Sequence, residues 1–297
     1  MANAIPETVS VGVVGGSGLY GLSGLGDVRE YEIDTPFGAP SDAFRIGTIE
    51  GVEVAFLARH GRHHHLLPGE INYRANLWAF KRLGVQHLIS ASAVGSLRET
   101  IEPRHVVTAD QFIDRTRLRS ATFFGEGLVA HVGLADPVCA ELRGMLSAAV
   151  RNGGGTVHER GVYVCMEGPG FSTRAESELF RSWGADVIGM TNFQEASLAR
   201  EAELCYATLA LVTDFDCWHQ DEEDVTVAAL LGHLQANAGL AAAAVTRVVA
   251  QLGAAPRVCS CGEALQDAIL TPLERVPEAT LTRLEPILAR YRATHDC

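Results

Sequence analysis

The chain has 297 residues, of which 47% are hydrophobic and 20% are charged, and its formal net charge is −12. This composition is typical of a soluble globular protein with a substantial core. The negative charge argues against non-specific binding of nucleic acid, because no basic excess is available to neutralise phosphates. The N-terminus lacks a basic segment followed by an apolar run, and no apolar stretch is long enough to cross a bilayer, so neither a signal peptide nor membrane association is predicted.

Seven cysteines, an odd number without the spacing of a disulfide framework, favour a reducing, cytoplasmic location. Cys259 and Cys261 form a CxC pair that is too isolated in sequence to predict a zinc site, and a disulfide between them remains an alternative. The four histidines from His60 to His65 lack the i, i+4 helical spacing and the acidic partner of zinc hydrolases. No metal is therefore predicted.

Apolar runs that are typical of buried strands alternate with amphipathic, helical segments to about residue 252. Strands are predicted at residues 11–14, 52–57, 85–91, 106–113, 161–166, 186–190 and 207–212, and helices at 72–83, 138–151, 175–183, 196–203, 226–252 and 277–291. Ser172 or Thr173 is the expected N-cap of the helix at 175–183, with Glu176 near the capping-box position. The pattern predicts one α/β domain, with a core of about 10–252 and a C-terminal helical appendage of about 253–297.

Three of the predicted strands end in residues that suit an anion. Ser17 lies in a glycine-rich turn, Arg59 and His60 follow the second strand, and Ser92 follows the third. Arginine offers paired planar donors, and glycines let backbone N–H groups approach a ligand. Each site alone is as consistent with a strand-end cap or an ion pair, but together they favour an anion site.

Two carboxylates, Asp214 and Asp216, follow the strand predicted at 207–212. Open α/β sheets bind ligands at the carboxyl ends of their strands, and side chains two apart on an extended segment point the same way. A simple turn is an equally good interpretation of these two residues when they are taken alone.

In their order along the chain, several motifs resemble the methylthioadenosine phosphorylases of the trimeric purine nucleoside phosphorylase family. The motifs are GGSGLY, DTPFGAPSD, ARHGRHH, NYRAN, GSLRE, DQFIDRT, FSTRAES, WGADVIGMT and TDFDCW, and the resemblance runs from Gly12 to about Leu252. It implies a purine nucleoside phosphorylase-like fold, with a mixed central β-sheet flanked by helices. It also implies a homotrimer, a place in purine and methionine salvage, and phosphorolysis without metal or organic cofactor. The substrates would be 5′-methylthioadenosine and inorganic phosphate, and the products adenine and 5-methylthioribose 1-phosphate.

The resemblance also implies roles for individual residues. The phosphate-binding positions are Ser17, Arg59, His60, Ser92, Ala93 and Thr191. The nucleoside-binding positions are Phe171, which would stack on the base, Met190 at the ribose, and Asp214, Phe215 and Asp216 at the purine. The specificity positions are Ser172, Val227, Leu231 and His131, of which His131 would come from a neighbouring subunit.

The chemistry of such a reaction requires a proton or hydrogen bond for the departing purine. Asp214, with its pKa raised by burial beside Asp216, is the expected general acid at N7. An ionised carboxylate accepts from the N6 amine of adenine, which favours a 6-aminopurine. A protonated one donates to a carbonyl, so a 6-oxopurine or 5′-methylthioinosine phosphorylase remains the alternative. The sequence does not assign the proton within the pair.

Two residues depart from the family pattern. Gly170 stands where arginine is common, and Gln194 stands where proline usually precedes the residue matching Glu195. Both flank expected binding residues, and loss of the proline frees the backbone there. Other classes of protein remain to be weighed: a dinucleotide-dependent oxidoreductase, which the absence of GxGxxG opposes, and a non-catalytic nucleotide-binding or scaffold protein.

Overall fold

The computed structural model describes residues 9–16, 24–219, 227–253 and 257–293. Within these ranges one mixed sheet is flanked by helices, which confirms the predicted fold class. The strands are β1 (Val11–Gly15), β2 (Gly26–Tyr31), β3 (Phe44–Ile49), β4 (Val52–Ala58), β5 (His87–Ser96), β6 (Val106–Val107), β7 (Gln111–Arg115), β8 (Val157–His158), β9 (Val162–Met166), β10 (Val187–Gly189) and β11 (Cys205–Asp214). The helices are α1 (Tyr73–Arg82), α2 (Ala140–Asn152), α3 (Arg174–Ser182), α4 (Asn192–Glu201), α5 (Val227–Leu252), α6 (Glu278–Arg283) and α7 (Glu285–Ala293).

The long strand β5 organises the sheet, because it pairs with three other strands. Strand β11 lies parallel along one edge of β5, from His87 to Gly95. The opposite edge is shared: β1 pairs in parallel as far as Ala91, and β10 pairs antiparallel at Gly95 and Ser96. Among the described residues, the part of this edge between the two pairings has no ladder partner. The sheet therefore splits beside residues 92–94, where open α/β sheets form ligand crevices.

Local capping signals place the helices that flank this split. The Asn72 side chain accepts a hydrogen bond from the backbone N–H of Ala75 and begins α1. At α3, Thr173 and Glu176 form a reciprocal capping box, as the sequence predicted. The α5 helix is long, but no helix in the described ranges combines the length and apolarity that a bilayer span requires.

Three predictions about the elements were wrong or incomplete. The strand expected at 106–113 is two strands, because β6 pairs with β11 and β8 whereas β7 pairs with β9. The C-terminal helix expected at 277–291 is interrupted at Leu284, between α6 and α7. The sequence analysis also missed β2 and β3, an antiparallel pair that extends the sheet beyond β4.

The C-terminal segment, residues 257–293, packs on the same hydrophobic core as α1 and α4. Leu265, Leu284 and Leu288 are fully buried in this core. The indole Nε1 of Trp78 donates to the carbonyl of Arg283 at 2.9 Å. These contacts attach the segment closely to the sheet domain, and its division from the core at about residue 252 stays a prediction.

Buried Glu201 on α4 makes stability depend on pH. Burial raises its pKa from 4.5 to about 7, although Phe123 N and Thr122 Oγ1 donate to the carboxylate. The native state therefore holds this proton more tightly than the unfolded state does. We expect the free energy of unfolding to fall by up to about 3 kcal/mol as pH rises from about 4.5 to about 7, and to level off above.

The Glu201→Gln variant isolates this contribution. Urea unfolding of both proteins at about pH 5 and about pH 8, at one protein concentration, gives the two pH dependences. Subtracting the pH dependence of the variant from that of the wild type removes the contribution of groups that titrate in both proteins. Equal pH dependence in the two proteins would contradict the assignment to Glu201.

Candidate active site

The carboxyl ends of β1 and β4 meet beside the middle of β5, so Ser92 lies within its strand and not, as predicted, after its end. The registers align Gly15 at the end of β1 with Ala58 of β4 on one side and Ala91 of β5 on the other. Beyond the strands, Arg59 N donates to the carbonyl of Gly15, and Gly16 N donates to that of Ala91. Three of the predicted anion-binding segments therefore begin side by side. Ser17 itself lies outside the described residues.

The guanidinium of Arg59 is buried beneath this edge. Only 1% of its side chain is exposed, and it forms a bidentate ion pair with Glu195 of α4, with Nε 2.5 Å from Oε1 and Nη2 3.2 Å from Oε2. Further bonds run from Nη2 to Ser90 Oγ and from Nη1 to the carbonyl of Ala91. Glu195 therefore balances the charge of Arg59, which is the ion pair that the sequence left open as an alternative.

One donor atom of Arg59 nevertheless lies against the glycine-rich turn. A Cβ on Gly16 would lie only 2.5 Å from Nη1, so glycine is required at this position for the guanidinium to pack there. Nη1 carries two N–H groups, and the carbonyl of Ala91 accepts from one of them. The second N–H and the backbone of the turn are thus neighbours, which is the arrangement that an oxyanion requires.

His60 is neutral in this environment. Burial, reinforced by the charge of Arg59, lowers the pKa of its imidazole to about 4. Nδ1 lies 2.8 Å from the carbonyl of Leu66, which can only accept, so Nδ1 carries the proton and Nε2 is an acceptor. His60 therefore suits the hydroxyl of a protonated phosphate and offers no positive charge.

Ser92 and Ala93 lie at the unpaired edge of β5. The hydroxyl of Ser92 donates to Asn192 Oδ1 at 2.6 Å. The Nδ2 group of Asn192 lies within hydrogen-bond distance of Ser90 Oγ and Tyr206 OH. A phosphate at Ser92 would compete with Asn192 for the single hydroxyl proton. This buried network, which includes Glu195, was not visible in the sequence because its members are far apart along the chain.

Thr191 occupies the N-cap position of α4, and its side chain makes no capping hydrogen bond. The first N–H groups of a helix attract anions, so the N-terminus of α4 is a further candidate anion-binding element, which was not predicted from the sequence. Preceding it, Met190 lies against the loop that follows β9, since a Cβ on Gly168 would be 2.6 Å from the Met190 sulfur. Met190 and Thr191 thus line the split in the sheet from the β10 side.

Asp214 is the last residue of β11 and lies beside Gly95 of β5. Its Oδ1 accepts from the backbone N–H of Asp216 at 2.8 Å, and its Oδ2 from the hydroxyl of Thr213 at 2.7 Å. A Cβ on Gly95 would be 2.9 Å from Oδ1, so this glycine makes room for the carboxylate. The same Cβ would lie 3.3 Å from the Cβ of Asp216, so both aspartates flank this glycine. They are not two apart on an extended segment, however, because β11 ends at Asp214 and Asp216 has a left-handed φ of 53°. Convergence of the two carboxylates on one group stays a prediction.

Asp216 is the more deeply buried carboxyl of the two. Burial raises its pKa above the ordinary value, and the Ser177 and Ser172 hydroxyls act in the opposite direction. Its Oδ2 is buried without a hydrogen-bond partner among the described residues. An unsatisfied oxygen of this kind is a candidate for contact with a ligand, because leaving it unpaired is costly.

The aromatic side chains of the candidate site differ in exposure. The ring of Phe171 is 55% exposed, which suits a surface on which a base would stack. The ring of Phe215 instead packs in a hydrophobic cluster with Trp218 and stacks on His219, with the ring centres 4.7 Å apart. The packing of the Phe215 side chain therefore does not support its predicted contact with the purine.

The remaining specificity residues lie in three places. Ser172 is half-buried beside Met166, with its hydroxyl 3.8 Å from the sulfur. His131 is exposed, and its backbone N–H donates to the carbonyl of Ala268 in the C-terminal segment. The backbone of Val227 and Leu231 belongs to α5, but their side chains lie outside the described part of the structure.

Arg119 is a central residue that the sequence analysis missed. Its side chain is 1% exposed and forms an ion pair with Glu167, with Nε 2.8 Å from Oε1. It also donates to the carbonyls of Glu167 and Met190. This arginine therefore links the loop after β9 to the loop after β10. The run from Leu118 to Pro137 was interpreted only as a loop, and the sole available signal was an arginine at every second residue from 115 to 119.

Gln194 completes this link. Its Oε1 accepts from Arg119 Nη1 at 3.1 Å, and its Nε2 donates to Thr116 Oγ1 at 2.8 Å. The side chain, more than any freedom of the backbone, thus accounts for glutamine at this position. We expect Gln194→Ala to cost about 1–3 kcal/mol of unfolding free energy, because it leaves buried partners unpaired. It should also raise the KM for the nucleoside, because Arg119 holds the carbonyl of Met190.

The matched control is Gln111→Ala, which removes an exposed side chain whose Nε2 donates to the carbonyl of Ala135. Steady-state kinetics and urea unfolding of the two variants make the comparison. A Gln194→Ala protein with the wild-type KM and stability would show that the link is dispensable.

The chain belongs to the phosphorylase superfamily. The sequence model of this family matches residues 10–250, a range that includes all the candidate site residues described above. The matched family and fold define an enzyme of the pentosyltransferase class. The carboxylates at and after the end of β11 and the candidate anion donors on β5 and just beyond β1 and β4 are consistent with this class.

Three known proteins are similar to this chain over most of its length. The chain is 58% identical to an S-methyl-5′-thioadenosine phosphorylase from Thermosynechococcus vestitus, over 96% of this chain and 99% of the relative. Among solved structures, a methylthioadenosine phosphorylase from an Antarctic soil metagenomic library is 47% identical, with a TM-score of 0.91 over 95% of this chain and 99% of that one. A variant of the adenosine/methylthioadenosine phosphorylase from Schistosoma mansoni, in complex with methylthioadenosine, is 38% identical, with a TM-score of 0.78 over 84% and 93%.

Proposed function

We propose that this chain catalyses the reversible phosphorolysis of S-methyl-5′-thioadenosine to adenine and 5-methylthioribose 1-phosphate. One observation carries the proposal: the candidate anion-binding residue Ser92 and Gly95, which neighbours Asp214, lie on the same strand, β5. Three residues of a strand span about 10 Å, which leaves room for a ribose between a phosphate and a purine. Relatives that are similar over nearly the whole chain carry this activity in their names.

The two halves of the site match the charges that develop in the reaction. As the C1′–N9 bond breaks, its electron pair moves to the purine, and positive charge grows on the ribosyl ring. Asp214 would donate a proton or hydrogen bond at N7 of the leaving purine, and a phosphate oxygen would form the new bond to C1′. The donors at Arg59, Ser92, Ala93 and Thr191 would hold that phosphate in line, with Ser17 completing the set.

The protonation of His60 bears on how the phosphate binds. Because its Nε2 is an acceptor, His60 would accept a hydrogen bond from a phosphate hydroxyl and hold the phosphate nucleophile in one orientation. Arg59 would bind through its remaining Nη1–H, while Glu195 keeps the guanidinium in place. Arg59 would then contribute mainly by positioning the phosphate, because Glu195 balances its charge.

One observation favours a 6-oxopurine as a second candidate substrate. Burial raises the pKa of Asp216, and a protonated Asp216 could donate to a 6-carbonyl. Against this, the names of similar proteins refer to methylthioadenosine and adenosine. Rates with methylthioadenosine, methylthioinosine and inosine, each with and without phosphate, decide between the two. A strong preference for methylthioinosine would overturn the adenine assignment, and phosphate-independent cleavage would overturn phosphorolysis.

Subunit assembly is also part of the proposal. His131 lies next to Val129 and Leu270, two exposed apolar residues, because backbone hydrogen bonds pair residues 129–131 with residues 268–270. Exposed apolar groups in one region mark interaction surfaces. We infer a homotrimer in which His131 reaches the 5′ group bound by a neighbouring subunit, together with Ser172, Val227 and Leu231. Light scattering should give a trimer mass, and Leu270→Glu should reduce it, whereas a monomeric wild type would refute the assembly.

We also infer that the protein is located in the cytoplasm. The six cysteines in the described ranges are all free thiols, and four of them lie close together without a disulfide. Such an arrangement is typical of proteins in a reducing compartment. Fractionation of the producing cells would test this location.

A further inference from the structure

Four cysteine side chains from three separate parts of the chain meet at one point. Cys139 is the N-cap residue of α2, Cys205 is the first residue of β11, and Cys259 and Cys261 come from the C-terminal segment. All four Sγ atoms lie within 4.8 Å of one another. Cys259 Sγ is 3.1 Å from that of Cys205 and 3.7 Å from that of Cys139. The expectation that the CxC pair is isolated is therefore wrong.

The spacing of the sulfurs fits a tetrahedral thiolate site. Zinc–sulfur bonds of about 2.3 Å place the four sulfurs of such a site about 3.8 Å apart. The separation of 3.7 Å between Cys139 and Cys259 matches this value, that of 3.1 Å between Cys205 and Cys259 is shorter, and no pair among the four exceeds 4.8 Å. Cys139, Cys205 and Cys261 are buried, while Cys259 is partly exposed and gives a metal ion a way in.

The surroundings can compensate the charge of the thiolates. Cys139 stands at the N-terminus of α2, a helix of 13 residues, where the helix dipole favours an anion. Arg257 lies close to the CxC pair: its guanidinium occupies the space that a Cβ of residue 262 would take, and Gly262 leaves that space open. Its Nη1 also donates to the carbonyl of Glu203, which precedes Cys205 by two residues.

We propose that these four cysteines form a structural site for a thiophilic divalent cation, with Zn²⁺ as the ion of first choice. Each sulfur would lose its proton to solvent and donate an electron pair to the ion, so binding releases four protons and involves no change of oxidation state. The site would fasten residues 257–293 to α2 and to the start of β11. It lies nine residues, or about 30 Å of strand, from Asp214, so it is independent of the proposed catalytic chemistry.

The first measurement is the metal content of the wild-type protein. The chain is produced in a reducing cytoplasm with zinc in the medium, purified anaerobically without strong chelator, and dialysed against a weak one. We expect about one zinc per chain by elemental analysis. Cys139→Ser and Cys261→Ser should each lose most of the metal, whereas Cys217→Ser, the matched control outside the cluster, should retain it.

Cobalt provides a second readout that does not depend on any variant. Metal-free wild-type protein titrated with Co²⁺ should develop strong thiolate-to-cobalt absorption and the visible bands of a tetrahedral site, ending at about one ion per chain. Two outcomes would overturn the proposal. One is four titratable thiols that bind neither ion. The other is a disulfide among the four cysteines, seen as a mass loss of about 2 Da per bond in the unreduced, anaerobically purified chain.

Discussion

Replacing Asp214 by asparagine is expected to lower kcat for methylthioadenosine by about 10²- to 10⁴-fold, the usual contribution of general acid catalysis. Asparagine preserves the size of the side chain and can still accept from the backbone N–H of Asp216, so the end of β11 should keep its shape. It cannot deliver a proton to N7. The loss should therefore appear in kcat, with the KM for phosphate nearly unchanged.

A substrate with a permanently charged leaving group provides the control. A nucleoside that carries a methyl group on N7 needs no proton there, so the Asp214→Asn variant should cleave it at close to the wild-type rate. Equal losses on both substrates would mean that Asp214 acts through purine binding alone. Wild-type turnover of methylthioadenosine by the variant would remove Asp214 from the chemistry altogether.

Glu195→Gln is expected to cost about 3–5 kcal/mol of unfolding free energy, because it leaves the buried guanidinium of Arg59 without a counter-charge. The glutamate also accepts from Ser90 Oγ and from Tyr206 OH, and glutamine can keep one such acceptor. The loss of charge is thus the main change. Urea unfolding at a fixed protein concentration measures it.

Two comparisons make this result interpretable. The Glu53→Gln variant makes the same substitution beside an exposed arginine, Arg29, and should cost less than about 1 kcal/mol. The double variant Arg59→Met with Glu195→Gln should recover much of the stability, because no uncompensated charge remains. Phosphate-dependent activity should stay low in the double variant, since Arg59 is gone. A Glu195→Gln protein as stable as wild type would contradict the account of the ion pair.

The central strands and most helices were predictable because their signals are local. Buried runs such as 207–212 have few alternatives in a chain of this composition, and the capping box at Thr173 depends on residues only three apart. The hairpin of β2 and β3 was missed because β2 is almost entirely exposed, and so it lacks the apolar run by which the other strands were recognised. The strand at 106–113 was misjudged because its two halves pair with different partners.

The candidate site was predictable in part for a similar reason. The segments that carry Arg59, Ser92 and Asp214 can each be recognised in the sequence, because each follows an apolar run. Parallel strands bring their carboxyl ends to one edge of the sheet. What those side chains contact was not predictable. The partner of Arg59 lies 136 residues away, and Arg119 reaches Met190 across 71 residues.

The sequence by itself determined the fold class and the reaction class implied by the resemblance, because these depend on local periodicity and motif order. Only the tertiary structure decided that Glu195 balances Arg59, that His60 is neutral, and that the CxC pair joins Cys139 and Cys205. Each of these depends on burial and on contacts between distant segments. Burial sets the protonation and charge of a side chain, and folding alone determines which residues are buried together.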